Sequence, residues 1–217
     1  MQLIFEQIRV GGDRNFGYLI ADRDVGQGVL VDPSYAPELL TDRAQAQGVT
    51  VTHIINTHGH ADHTNGNVTA VELTGAPVAA HPDAPDTPDA SLSDGAQVSV
   101  GDVCLTVLHT PGHCPDHLVL YEQTHRFVIT GDLLFVGKVG GTKTENDARV
   151  EWESLSRLLD TVPDDTTVWP GHDYGVRPSS TIGLEKHTNP FLRCADVDAF
   201  LRLRVDWPNY KKQHGLK

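Results

Sequence analysis

The 217-residue sequence is short of long apolar runs, of basic residues and of cysteine. No uninterrupted stretch of aliphatic and aromatic residues exceeds four, Leu133 to Val136 being one of these. A membrane-spanning helix needs about 20, so no membrane partner is expected. The opening Met1-Gln2-Leu3-Ile4-Phe5-Glu6 has neither a basic segment nor a long apolar one, so no secretory signal is expected either. Lys and Arg total 17 against 29 Asp and Glu, a net charge of −12. That surface repels phosphate backbones and argues against a nucleic-acid partner. Cys104, Cys114 and Cys194 are odd in number and far apart, which fits a reducing, cytoplasmic setting and not a disulfide framework. What remains, 39% hydrophobic and 21% charged residues, suits a soluble globular fold with one sizeable core.

Histidine is plentiful: there are 12. Scattered histidines are ordinary surface or core residues, whereas clustered ones raise a metal-ligand reading. Placing them needs a coarse map of the chain. Leu3 to Val10, Gly17 to Ala21 and Gly28 to Val31 read as strands, rich in β-branched and aromatic residues and separated by Gly/Asp turns. Pro37 to Gln47 reads as a helix stopped at Gly48, Val51 to Asn56 as a buried strand, and His63 to Thr74 as a helix closed by Gly75. His81 to Ala90, with three prolines, reads as a loop. Strands follow at Gln97 to Val100, Val103 to His109, His117 to Tyr121, Arg126 to Thr130 and Thr167 to Trp169. Helices are expected at Asp147 to Asp160, Thr181 to Thr188 and Asp196 to Val205, with Trp207 to Lys212 as a docked, solvated terminus. Helices distributed among two groups of strands imply an α/β layered sandwich and not a regular βα barrel.

Against that map, His58, His60, Asp62 and His63 put four ligand-type side chains within six residues, directly after a strand. Imidazole and carboxylate bind borderline divalent metals at about 2.0–2.2 Å, and a tight turn can aim alternate side chains at one or two ions. Three further segments run from an apolar strand into a Gly-containing turn with a ligand: Thr110-Pro111-Gly112-His113, Gly131-Asp132 and Pro170-Gly171-His172. Each alone is a weak signal. Together they give seven donors, five His and two Asp, on loops beyond strands. That is too many for one tetrahedral ion and suits two ions about 3.5–4 Å apart sharing a carboxylate.

At these residues the sequence resembles the metallo-β-lactamase-fold superfamily over roughly residues 16 to 190. The resemblance implies a four-layer αβ/βα sandwich, expected here as a single domain over 1–217 with a short helical C-terminal extension. It further implies that His58, His60 and His113 hold one ion, that Asp62, His63 and His172 hold the other, and that Asp132 bridges them. Asp62 and Asp132 are then the catalytic carboxylates, around two divalent ions, with zinc the first expectation and iron or manganese the alternatives. Two ions sharing a water lower its pKa toward neutrality and supply a bridging hydroxide, so no protein nucleophile is required. Cys114, beside His113, reads better as a packing residue than as one. A carboxylate stands where zinc β-lactamases of the main class carry Cys, which turns the reading away from antibiotic hydrolysis.

Thr110-Pro111-Gly112-His113, Thr130-Gly131-Asp132-Leu133-Leu134-Phe135 and Gly171-His172-Asp173-Tyr174 are most similar to the hydroxyacylglutathione hydrolase (glyoxalase II) group. That likeness implies a small anionic thioester as substrate. Persulfide dioxygenases, with a single iron, share much of the pattern and are the competing reading, ahead of lactonases or β-lactamases. Both main families place a cation nine positions beyond the bridging Asp. Here that position is Gly141, flanked by Lys138 and Lys143, followed by the dioxygenase-like Thr142. Lys138, Lys143, Tyr174 and Arg177 are the candidate substrate contacts, with Lys186 a further anion contact and His81 a residue bordering the pocket. The longer helical clamp that glyoxalase II uses for glutathione is shortened here, since 45 residues follow His172.

Overall fold

In the computed structural model, which describes residues 2–215, the first half of the chain forms one sheet and its helices. These are β1 (Leu3–Gly11), β2 (Asn15–Asp22), β3 (Gln27–Val31), α1 (Pro37–Ala46), β4 (Thr50–Ile55), α2 (Ala61–Thr64), α3 (Asn67–Thr74), β5 (Val78–Ala80) and β6 (Ala90–Ser91). The second half forms β7 (Gln97–Val100), β8 (Val103–His109), β9 (Leu118–Glu122), β10 (Phe127–Gly131) and the hairpin β11 (Leu134–Phe135) and β12 (Lys138–Val139). It closes with α4 (Glu145–Thr161), β13 (Thr167–Pro170), β14 (Ser180–Thr181), α5 (Ile182–Thr188) and α6 (Val197–Gln213). The strands lie in two six-stranded sheets, ordered β1-β2-β3-β4-β5-β6 and β14-β13-β10-β9-β8-β7.

Side-chain alternation explains the layering. In β2, Tyr18 and Ile20 face the second sheet while Leu19 and Ala21 face α1 and α3, and every residue of the strand is buried. Between the sheets these meet Leu105, Val107, Leu118 and Ile129. On the far face of the second sheet, Val119, Val128 and Val168 pack against Leu155 and Leu158 of α4 and Phe200 of α6. Three apolar interfaces thus separate four layers, the αβ/βα sandwich expected. Among the described residues no helix is long and apolar enough to cross a membrane.

Most element ends fall within two residues of the expected ones, for local reasons. Pro37 opens α1, and Gly48, at φ +70°, follows its end. A reciprocal cap between Thr144 and Asp147 starts α4 two residues early. Two expectations are corrected. The helix from His63 to Thr74 is broken into α2 and α3, because the Asn56 amide donates to the His63 carbonyl (3.2 Å) and Asn65 Oδ1 accepts the Tyr35 N–H (2.8 Å). The last helix does not end at Val205: α6 runs on through Pro208 to Gln213, with Trp207 docked on Phe191 at 4.7 Å between ring centroids while Pro208, Asn209 and Lys212 stay exposed. Pro208 removes one helical hydrogen bond, and packing of the half-buried Trp207 indole offsets that loss. The short strands β5, β6, β11, β12 and β14 have no periodicity to betray them.

Candidate metal centre

The seven donors come together where both sheets end at one edge. His58, His60, Asp62 and His63 follow β4, His113 follows β8, Asp132 follows β10 and His172 follows β13. Backbone hydrogen bonds join the two halves at this point: Leu118 N–H donates to the Thr57 carbonyl (2.7 Å) and Phe16 N–H to the Gly171 carbonyl (2.8 Å). Gly131 turns the chain at φ +48° to present Asp132, and a Cβ there would stand 2.8 Å from His117 Nε2. Only glycine fits that turn.

Among the described residues three donor groups form, the ligand atoms within each lying within 4.8 Å of one another: His58, His60 and His113; His58, His63 and Asp132; Asp62, His63 and His172. His60 Nδ1 is 2.9 Å from His58 Nε2 and 3.0 Å from His113 Nε2. His63 Nε2 is 3.3 Å from His172 Nε2 and 3.7 Å from Asp62 Oδ2. Asp132 stands between the sets, Oδ1 3.5 Å from His63 Nε2 and Oδ2 3.6 Å from His113 Nε2 and 3.4 Å from His172 Nε2.

The outward ring nitrogens of His58, His63, His113 and His172 are engaged, which sets their tautomers. Asp32 Oδ2 accepts from Thr57 Oγ1 (2.7 Å) and from His63 Nδ1 (2.9 Å), and Thr57 Oγ1 in turn accepts from His58 Nδ1 (3.0 Å). His172 Nδ1 donates to the Asp13 carbonyl (2.9 Å) and His113 Nδ1 to the Gly141 carbonyl (2.6 Å). Each of these four rings therefore turns Nε2 inward. Asn15 Nδ2 donates to Asp62 Oδ2 (3.0 Å), and the Gly59 N–H on the ligand loop donates to Asp116 Oδ2 (2.7 Å). His117 Nε2 accepts the Asp132 N–H (3.0 Å), so its Nδ1–H faces Thr110 Oγ1 (2.9 Å).

Charge within the cluster is unevenly distributed. Burial pushes His58 and His113 below the usual imidazole range, so both are neutral donors at neutral pH. At His63 burial acts the same way, but Asp132, Asp32 and Asp62 outweigh it and bring the pKa up to about 9. Asp132 is held well below the carboxylate range despite its burial, chiefly by His63 and His172.

The donors fit divalent cations. His60 Nδ1 carries at most one proton yet faces both His58 Nε2 and His113 Nε2, which the tautomers above make acceptors, so one of these contacts sets two lone pairs against each other, and the buried Asp132 Oδ1 has no hydrogen-bond partner. A tetrahedral shell with bonds of about 2.0–2.1 Å places ligand atoms roughly 3.3–3.4 Å apart, close to the spacings found.

The other residues singled out from sequence divide. Tyr174 stacks on His172 (4.7 Å, 4° between planes) and its hydroxyl donates to Asp13 Oδ2 (2.6 Å). Lys138 Nζ lies 3.9 Å from the Tyr174 ring centre, and the Arg14 guanidinium lies 4.8 Å from it. Lys143 and Arg177 are exposed, Arg177 bonding Ser180 Oγ at 3.3 Å, and Lys186 is paired with Asp164 (2.6 Å). His81 stacks on His109 instead of lining the metal centre (4.1 Å, 16°). Burial and Asp116 push the Cys114 thiol far up, so it is no nucleophile at neutral pH. Asp32, Thr57, Asn15, Asp116 and His117 went unread in the sequence. The one available sign was a buried-type strand, β3, running straight into a charged residue, Asp32.

A sequence profile of the Metallo-beta-lactamase superfamily matches residues 10–88 and 80–172. The chain belongs to that superfamily. A hydroxyacylglutathione hydrolase of Polaromonas sp. (strain JS666) is 32% identical, the match covering 95% of this chain and 92% of that one. The crystal structure of ETHE1 from Myxococcus xanthus superposes with a TM-score of 0.83 at 33% identity, over 94% of this chain and 91% of that one. TTHA1623, solved in a di-iron-bound form, superposes with a TM-score of 0.72 at 32% identity, over 86% and 100% of the two chains. As a metallo-β-lactamase-fold protein with a divalent-metal donor cluster, the chain is a metal-dependent hydrolase similar to the hydroxyacylglutathione hydrolases.

Proposed function

We propose that this enzyme hydrolyses a small anionic thioester, of the S-(2-hydroxyacyl)glutathione type, at a two-ion centre. The observation that carries the reading is the position of Asp132 between the two histidine sets, in contact range of His113 on one side and of His63 and His172 on the other. In this reading His58, His60 and His113 hold one ion, Asp62, His63 and His172 the other, and Asp132 both. Zinc is the first candidate metal, with iron supported by the di-iron form of TTHA1623.

Two divalent ions supply Lewis-acid activation of water and of the acyl carbonyl. The chain's residues do the rest. Asp32, Thr57, Asp13 and Gly141 hold the imidazoles of His58, His63, His113 and His172 in one tautomer and orientation, so these four need not rearrange as the reaction proceeds. Asn15 holds the Asp62 carboxylate in place. Lys138 and Arg14, both against the Tyr174 ring, form a cationic rim beside His172 on a chain of net charge −12, and that rim is where the substrate's carboxylate is received. Lys138 thereby takes the part of the cation missing at Gly141. The free thiols Cys104, Cys114 and Cys194 suit a cytoplasmic enzyme.

Metal content by elemental analysis and hydrolysis of S-lactoylglutathione test this together. About two metal equivalents per chain and chelator-sensitive thioester cleavage are expected. One equivalent of iron with oxygen uptake on glutathione persulfide would replace the hydrolase with the dioxygenase reading.

A further inference from the structure

One buried ion pair has no part in the chemistry above. Glu151 of α4 is fully buried, and its Oε2 accepts from Arg204 Nη1 of α6 at 2.6 Å, with the Arg204 side chain 15% exposed. A buried pair is weak evidence of net stabilisation, so its other contacts show what it is for. Arg204 Nη1 also donates to the Gly140 carbonyl (3.0 Å), and Nη2 donates to Thr142 Oγ1 (2.8 Å). Between those two anchors lies Gly141, whose carbonyl accepts from His113 Nδ1. Two consecutive glycines have the widest backbone freedom of any dipeptide, so the direction of that carbonyl has to be fixed from outside. Gly140 cannot contribute a side chain: a Cβ would collide with the Asp132 carbonyl and stand 3.1 Å from both Glu151 Oε1 and His113 Nδ1. A Cβ on Gly141 would meet nothing within 4 Å.

We propose that Arg204 is a positioning residue for the metal centre. Its guanidinium, held by Glu151, clamps the Gly140 carbonyl and the Thr142 hydroxyl on either side of Gly141, so that the Gly141 carbonyl fixes the tautomer and angle of His113 and aims Nε2 at the ion shared with His58 and His60. Only the planar fork of arginine reaches all three acceptors at once; a lysine ammonium does not reproduce it. The C-terminal helix α6 is thereby a working part of the centre, supporting one of its two ions. The inference rests on the two-ion reading above.

The test uses the full chain with Glu151→Met/Arg204→Met, which removes both charges and leaves no unpaired ion buried, and separately Arg204→Lys. Zinc affinity is measured against a competing chelator, thermal unfolding is followed, and the imidazole N–H resonances of the zinc-loaded protein are recorded. Expected is an affinity loss of about 10-fold or more for one zinc equivalent, with the other unchanged within about twofold. The slowly exchanging His113 Nδ1–H resonance is lost while those of His58 and His63 persist. Arg204→Lys, which keeps the charge and guards against a misfolded double variant, gives the same one-sided loss. Full affinity for both equivalents with the His113 resonance intact overturns the proposal. So does an equal weakening of both together with a lower unfolding temperature, the mark of a purely structural role. A wild-type chain that takes up fewer than two zinc ions overturns the two-ion reading itself, and the positioning role with it.

Discussion

The Asp32 carboxylate lies 2.9 Å from His63 Nδ1, both side chains buried, and the same oxygen takes the Thr57 hydroxyl that receives His58. Asp32 therefore orients one histidine directly and a second at one remove. It does so from a left-handed backbone position, φ +46°, which a non-glycine residue holds only under constraint from its surroundings.

Asp32→Asn replaces an acceptor by a donor on a carboxylate that receives three hydrogen bonds. Metal affinity is expected to fall about 10–100-fold. Chelator competition reads it, and an unchanged affinity would remove Asp32 from the site's machinery.

Asp132→Ala removes the carboxylate facing both histidine sets. Metal content should drop from about two equivalents to one or none, and kcat on a thioester by on the order of 10³. Normal metal content with full activity would undo the bridging assignment.

In metal-free protein His63 has its pKa raised from 6.5 to about 9. Its contribution to stability is thus full below pH 6.5 and is lost as pH rises through about 9. The unfolding temperature of the metal-free protein should fall between pH 8 and 10, by roughly 5 °C or more, and the slope should shrink in His63→Gln. Zinc binding at pH 7 should release a proton from this group, so affinity weakens as pH drops. Calorimetry in buffers of different ionisation enthalpy counts that proton.

Lys138→Ala is expected to raise KM for an anionic thioester about 3–10-fold with kcat nearly unchanged, and to flatten the salt dependence of kcat/KM. A loss confined to kcat would move Lys138 from the rim into the chemistry.

Cys114→Ala should leave kcat within about twofold, since its buried thiol stays protonated at neutral pH. Inactivation of that variant with its metals still bound would reinstate a cysteine nucleophile.

The seven donors were legible because each lies on or just after a glycine-bearing turn beyond a strand, a pattern read in one dimension. The layers were legible for a similar reason: two groups of strands with helices among them leave few ways to bury both sheet faces. What supports the donors was not. Asp32, Thr57 and Asn15 are common residues that matter only because β3, β4 and the β1–β2 turn converge on them. In the sequence Arg204 is one charge among several on a late helix, and only the fold brings Glu151, 53 positions away, against it. The break at Asn65 was hidden for the same reason, since the groups that interrupt the helix come from Asn56 and Tyr35.

The donors run from His58 to His172, more than half the chain, and come from both sheets. Ions bound there act as cross-links that close a long loop, so the bound state is tied shut across its central interface. Metal supply then governs more than turnover. A chain stripped of its ions is expected to open along the seam between the sheets and to be digested faster by a protease than the loaded chain, so that scarcity of metal shortens the enzyme's lifetime as well as silencing it.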